Sequence, residues 1–174
     1  MTDDPIAVMR ESHRKIEASV AVLIRASELA SAAAPAGEQR EAFEKALAFF
    51  RHSVPRHTAD EEESIFPRLR QEKASDLLPV LARIESLEEE HVCAEQIQAE
   101  IEGLCDAWLQ GRELTGDETA RLTRLLKSLR DTYRHHIAVE EEEVFPAAAS
   151  RFSAATLDSI AREMALRRGR SNEI

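Results

Sequence analysis

The chain has 174 residues, 33 acidic and 23 basic, and a formal net charge of −10; this is enough for one domain with a sizeable core, and the absence of a long basic run argues against nucleic acid as a partner. No apolar run nears the roughly 18 residues that mark a membrane span, and Met1-Thr2-Asp3-Asp4-Pro5 has no basic stretch leading into an apolar one, so neither a transmembrane helix nor a signal peptide is expected. With 5 Gly and 6 Pro amid abundant Ala, Leu, Glu and Arg, the composition favours helix nearly everywhere.

The first helix is expected to open at Asp4 as N-cap, with Pro5 at its first position. Its stripe is Ile6, Met9, His13, Ile16, Val20 and Leu23, in alternating steps of three and four, with a histidine in the middle. It ends before Pro35-Ala36-Gly37. The second helix covers about 38–71, with the stripe Phe43, Leu47, Phe50, Val54, His57 and Glu61. Pro55 has no N–H for the Arg51 carbonyl, which predicts a kink or local unwinding just before His57.

The third helix starts near Ser75 or Asp76, with Pro79 in its first turn, and its stripe runs Val80, Ile84, Leu87, His91, Ala94, Gln98, Ile101, Cys105. Gly111 and Gly116 bracket a loop, and Thr115 with Glu118 reads as a capping box. The fourth helix then carries Leu122, Leu126, Leu129, Tyr133, His136 and Glu140. A short fifth helix, about 153–168, has Leu157, Ile160, Ala161 and Met164 on one face and a basic C-terminal end. Cys93 and Cys105 fall on one helix about 18 Å apart, too far for a disulfide. Both are expected to be free thiols and small core residues, as in a reducing cytoplasm.

An internal repeat organises these elements. His13 to His57 is 44 residues and His91 to His136 is 45, and each half ends in His-x-x-x-Glu followed by Phe-Pro: His57/Glu61 before Phe66-Pro67, His136/Glu140 before Phe145-Pro146. The expected fold is all-α, an up-down-up-down four-helix bundle over 1–150 with a C-terminal helix and tail over 151–174. A pseudo-twofold axis down such a bundle brings His13, His57, Glu61, His91, His136 and Glu140 to one level.

Burying four imidazoles and two carboxylates is unfavourable unless they are satisfied, at several kcal/mol for an unpaired carboxylate. Two divalent ions suit the count, each taking two histidines, with Glu61 and Glu140 bridging. Nitrogen and oxygen ligands without thiolate point to iron or manganese, with zinc as the common impostor. Six-coordinate metals with an oxo or hydroxo bridge keep about two positions open for a small ligand. The plain alternative is a set of hydrogen-bonded core histidines, and four of them at matched spacing on four stripes weigh against it.

These residues make the sequence resemble the hemerythrin-like, or HHE cation-binding, domain: His13, His57/Glu61 before Phe66-Pro67, His91 after Glu90, and His136/Glu140 before Phe145-Pro146, over about residues 4–148. The resemblance implies a four-helix bundle with a non-haem diiron centre, in a family of oxygen carriers, oxygen or redox sensors, iron sensors and proteins tied to nitric oxide and iron–sulfur repair. Oxygen carriers have a fifth histidine where this chain has Glu95, and a longer spacing to Asp where it has His136/Glu140. The set of four histidines and two glutamates is more similar to the iron–sulfur repair branch, whose N-terminal segment bears a cysteine that no residue before His13 supplies.

Glu95 is read as a metal ligand, a hydrogen-bond partner of a ligand, or a solvated side chain. Tyr133 either donates to a bound oxygen species or is a core tyrosine. His52 and His135 lie round the helix from the stripes and read as surface or supporting groups. The acidic runs 61–63, 88–90 and 140–143 read mostly as solvated faces, and the two Phe-Pro pairs as lids that exclude water. The leading expectation is a cytoplasmic diiron protein binding O2 or NO, with an electron donor that the sequence does not name. The alternatives are an iron or redox sensor without turnover, an iron–sulfur repair-type protein, and a helical interaction module.

Overall fold

Asp4 opens the first helix as an N-cap: its Oδ1 accepts the Ile6 N–H at 3.0 Å, and Pro5 sits where a missing N–H costs nothing. The computed structural model describes residues 4–29 and 35–170, among which there is no strand. In order the elements are α1 (Pro5–Leu29), α2 (Gly37–Asp60), a π-helical turn (Glu61–Ile65), α3 (Phe66–Gln71), a 3-10 turn (Ser75–Leu77), α4 (Leu78–Leu109), α5 (Gly116–Val139), a second π-helical turn (Glu140–Val144), α6 (Phe145–Arg151) and α7 (Ala154–Arg170). The fold is the expected four-helix bundle with a short C-terminal helix. None of these helices is long and apolar enough to cross a membrane. Gly111, at φ 89°, turns the chain out of α4. The capping box then starts α5, with Glu118 N–H donating to Thr115 Oγ1 at 3.2 Å and Thr115 N–H to Glu118 Oε2 at 2.9 Å.

The inward stripes build two apolar clusters. One, around Phe43, Phe50, Trp108, Leu122 and Leu126, fills the half of the bundle near the α4–α5 loop. The other, around Met9, Phe66, Leu87, Phe145 and Met164, fills the opposite end. The polar level lies between them: His13 falls between Met9 and Ile16 on α1, and His91 between Leu87 and Ala94 on α4. α7 lays Ile160 and Met164 into the second cluster and closes that end. α1 packs on α2 and α5, and α4 on α5, whereas the seam between α2 and α4 holds a cavity.

Two expectations need correction. α2 runs through Pro55, which is exposed, without changing type. The unwinding comes later, at Glu61–Ile65, and is repeated at Glu140–Val144, just ahead of each Phe-Pro. Pro67 and Pro146 have no N–H, and their rings crowd the carbonyl four residues back. A widened turn, with Phe66 N–H donating to the Glu61 carbonyl and Phe145 N–H to the Glu140 carbonyl, relieves that crowding. Second, Cys105 is buried but Cys93 is exposed; two residues beyond His91 on an α-helix, Cys93 points away from the inward stripe.

Candidate metal centre

Four helices and both π turns each deliver one side chain to the polar level: His13 from α1, His57 from α2, His91 from α4, His136 from α5, and Glu61 and Glu140 as the first residues of the two π turns. The ligand atoms of His13, His57, Glu61 and Glu140 all lie within 4.8 Å of one another, as do those of Glu61, His91 and His136. The pairing is reciprocal. Glu61 turns Oε1 to His57 Nε2 at 2.9 Å and Oε2 to His91 Nε2 at 3.3 Å. Glu140 turns Oε2 to His13 Nε2 at 3.0 Å and Oε1 to His136 Nε2 at 3.4 Å. Each carboxylate thus faces two imidazoles, one from each half of the repeat, and His91 Nε2 meets His136 Nε2 at 3.0 Å.

The four carboxylate–imidazole approaches are close without being hydrogen bonds. All four oxygens of Glu61 and Glu140, and His13 Nε2, are buried with no hydrogen-bond partner. Atoms that near each other but do not point at each other converge on a common point. Two ligands about 2.1 Å from one cation at a right angle are about 3.0 Å apart, close to the separations found here. The residues therefore fit a cation: orphaned buried carboxylates that would cost several kcal/mol each gain a counter-charge, and the donor set is imidazole and carboxylate without thiolate.

Around this set, carboxylates hold the outer ring nitrogens. His13 Nδ1 lies 2.8 Å from Glu141 Oε1, His91 Nδ1 2.7 Å from Glu62 Oε1, and His136 Nδ1 3.1 Å from Glu90 Oε2. Such contacts fix ring orientation and raise ligand basicity. His57 Nδ1 has no partner; the repeat position that Glu90 fills ahead of His91 is Ser12 ahead of His13. The Phe145 ring stacks on His13, with centroids 5.4 Å apart and planes 11° apart.

Protonation follows from this packing in the metal-free protein. Burial alone favours neutral imidazoles, yet the Glu140 and Glu141 carboxylates outweigh it and raise His13, and Glu140 does the same for His136. For His91 the balance of burial against Glu61 and Glu62 reaches about 9. Burial opposes ionisation of Glu61, but the His57 and His91 imidazoles hold its carboxyl well below the usual range.

The structure thus brings the six stripe residues together. It leaves Glu95 exposed on the cavity wall and outside both groups of converging atoms. Tyr133 is buried one turn before His136 and lines the same cavity. His52 and His135 are exposed. The acidic runs are not simply solvated, since Glu62, Glu90 and Glu141 turn back to the imidazoles. The repeat held a signal for two of these, as each directly follows a site glutamate. No pattern pointed to Asp60, which is fully buried beside Glu61 and held by Arg167 Nη1 and Arg168 Nη2 of α7, each at 2.8 Å.

Searches of curated proteins and of solved structures gave no match. The family model described as hemerythrin HHE cation binding domain matches residues 4–148. That span holds all six converging side chains and both π turns, and it ends within α6. The cluster is a metal-ion site of that type, and the chain belongs to the hemerythrin HHE cation-binding domain family.

Proposed function

We propose that this is a non-haem diiron protein that binds a small diatomic ligand, O2 or NO, in a redox or nitrosative stress response. The observation that carries the reading is the double-facing carboxylate: each of Glu61 and Glu140 presents its two oxygens to two imidazoles from different halves of the repeat. His13 and His57 would hold one metal ion and His91 and His136 the other, with Glu61 and Glu140 as ligands shared by both. Bound iron supplies the redox electrons and an open coordination position. The chain's own groups do the rest. Glu141, Glu62 and Glu90 keep three imidazoles turned inward, and Phe145 and Phe66, both fully buried, keep water from one side. The free thiols Cys93 and Cys105 suit a reducing compartment. Metal analysis joined to spectra of the oxidised and reduced protein tests this. About two irons per chain with near-ultraviolet ferric absorption is the expected result; a zinc-only protein that stays colourless after iron reconstitution sinks it.

The contact of α7 with the turn bearing Glu61, through Arg167 and Arg168 on Asp60, favours a second reading, an iron or redox sensor without turnover. Filling the site would then order α7. Metal-dependent hydrogen-exchange protection across 154–170 supports the sensor, and rapid catalytic consumption of NO or peroxide supports the first reading.

A further inference from the structure

We propose that the ligand is a small uncharged molecule that reaches the centre through the seam between α2 and α4, and so meets the His91/His136 position rather than the His13/His57 position. This rests on the ligand-binding reading above. A cavity of about 470 Å³ occupies that seam, walled by Thr58 and Ala59 of α2, His91, Ala94 and Glu95 of α4, and Tyr133 of α5. Its volume holds several water-sized molecules and it opens to solvent, so it can serve as a passage. His91 has 10% of its side chain exposed. His13, at 1%, lies under the Phe145 ring. The difference in access thus lies at His91, which borders the cavity, and His13, which is covered; their partners His57 and His136 are nearly alike at 7% and 5%.

Tyr133 gives the passage a polar inner end. It is 7% exposed, its ring meets Phe50 edge-on at 6.1 Å, and its hydroxyl makes no hydrogen bond to another described residue. Burial and the Glu61 charge push the phenol up, so it stays a neutral donor facing the space next to His91. Glu95 sets the charge at the outer end. Glu62 is held by His91 and Glu102 by Arg51, whereas Glu95 forms no ion pair among the described residues. A carboxylate at the mouth repels anions and leaves neutral molecules unaffected. The class is thus an uncharged hydrogen-bond acceptor, as NO, O2 and hydrogen peroxide are, and not an anion.

The test narrows the passage from either wall. With Ala94→Phe or Ala59→Phe, NO association with the reduced, iron-loaded protein in stopped flow should slow about tenfold or more at unchanged metal content. Ala165→Phe, in the separate groove between α1 and α7, should leave the rate unchanged. Glu95→Gln should speed azide binding to the oxidised protein by about 3-fold without changing NO association. Tyr133→Phe should speed NO release and not its association. An arm independent of metal is hydroxyl-radical footprinting of the chelated protein, in which Tyr133 and His91 should be oxidised and Ala94→Phe should protect them. Normal NO rates in both filled variants, or footprinting that spares Tyr133 and His91 in the wild type, overturns the route. Wild-type protein that takes up no iron or never binds NO sinks the underlying reading instead, and the footprint still decides the route.

Discussion

Asp60 gives the sharpest test of how the bundle supports its centre. Its carboxylate is fully buried, with Arg167 Nη1 on Oδ1 and Arg168 Nη2 on Oδ2, each at 2.8 Å. Methionine keeps most of the apolar stem of arginine and removes the charge. Arg168→Met leaves Arg167 in place and should cost about 1.5 kcal/mol, the low end for a charged hydrogen bond, because Arg168 is partly solvated. Arg167→Met/Arg168→Met leaves a buried carboxylate alone and should cost about 3–5 kcal/mol. At about 2–4 °C per kcal/mol for a chain of this size, the double variant should melt roughly 6–20 °C lower. Adding Asp60→Leu should recover most of that loss, since an apolar replacement of the whole group needs no counter-charge. Thermal and urea unfolding followed by circular dichroism read all three variants. A double variant within about 1 kcal/mol of wild type would refute the argument that α7 is held by this buried charge group.

Four further outcomes follow from the same structure. Removing the metal with a chelator should lower the melting temperature by about 8–16 °C if the free metal had been near a thousandfold above its dissociation constant; an unchanged melt means that the site is filled by nothing. In chelated protein the imidazole–carboxylate pairing of His91 is worth most below its ordinary value of 6.5 and is lost as pH rises through about 9; loaded protein, whose imidazoles are already neutral, should show no such alkaline loss, and parallel pH profiles of the two forms contradict this. Thiol labelling of native protein should modify Cys93 and spare Cys105, whose thiol burial pushes up to about 12, with the second thiol reacting only on unfolding. Thr115→Ala removes the capping box of α5 and should cost about 1 kcal/mol in denaturant unfolding.

The stripes made the helices and the six converging residues readable, because period 3.6 patterning records which face is buried and the repeat places the two halves in register. The π turns were not readable that way. Pro55 and Pro67 both lie in the second helical segment, yet only Pro67 is preceded by a wide turn. What separates them is tertiary: Pro55 is exposed, whereas Phe66 must bury its ring in the second cluster while Glu61, five residues earlier, stays at the polar level. A wide turn serves both demands, as extra residues in a helical turn often do at functional sites. The repeat marked Glu62 and Glu141 by their place after a site glutamate, but not their contacts, since a run of glutamates looks solvated until one of them meets an imidazole of another helix.

The repeat also explains why the two halves of the cluster are not equivalent. Duplication fixed what a cation needs, His and Glu in register, and both halves keep it. The surroundings were free to diverge. Glu90 backs His136, while its counterpart Ser12 leaves His57 Nδ1 without a hydrogen-bond partner. Asp60 ties one π turn to α7, while its counterpart Val139 belongs to the packing of the second cluster. Phe145 roofs His13, while His91 borders the α2–α4 cavity. The first and third differences each act on one imidazole, by ring basicity or by access, and the second fixes the turn of Glu61, which faces one imidazole from each half. A near-symmetric set of candidate ligands in asymmetric surroundings leaves His13 covered by Phe145 and His91 beside the cavity, so on the proposed function a ligand would meet the His91 side while the turn tied to α7 holds Glu61 in place.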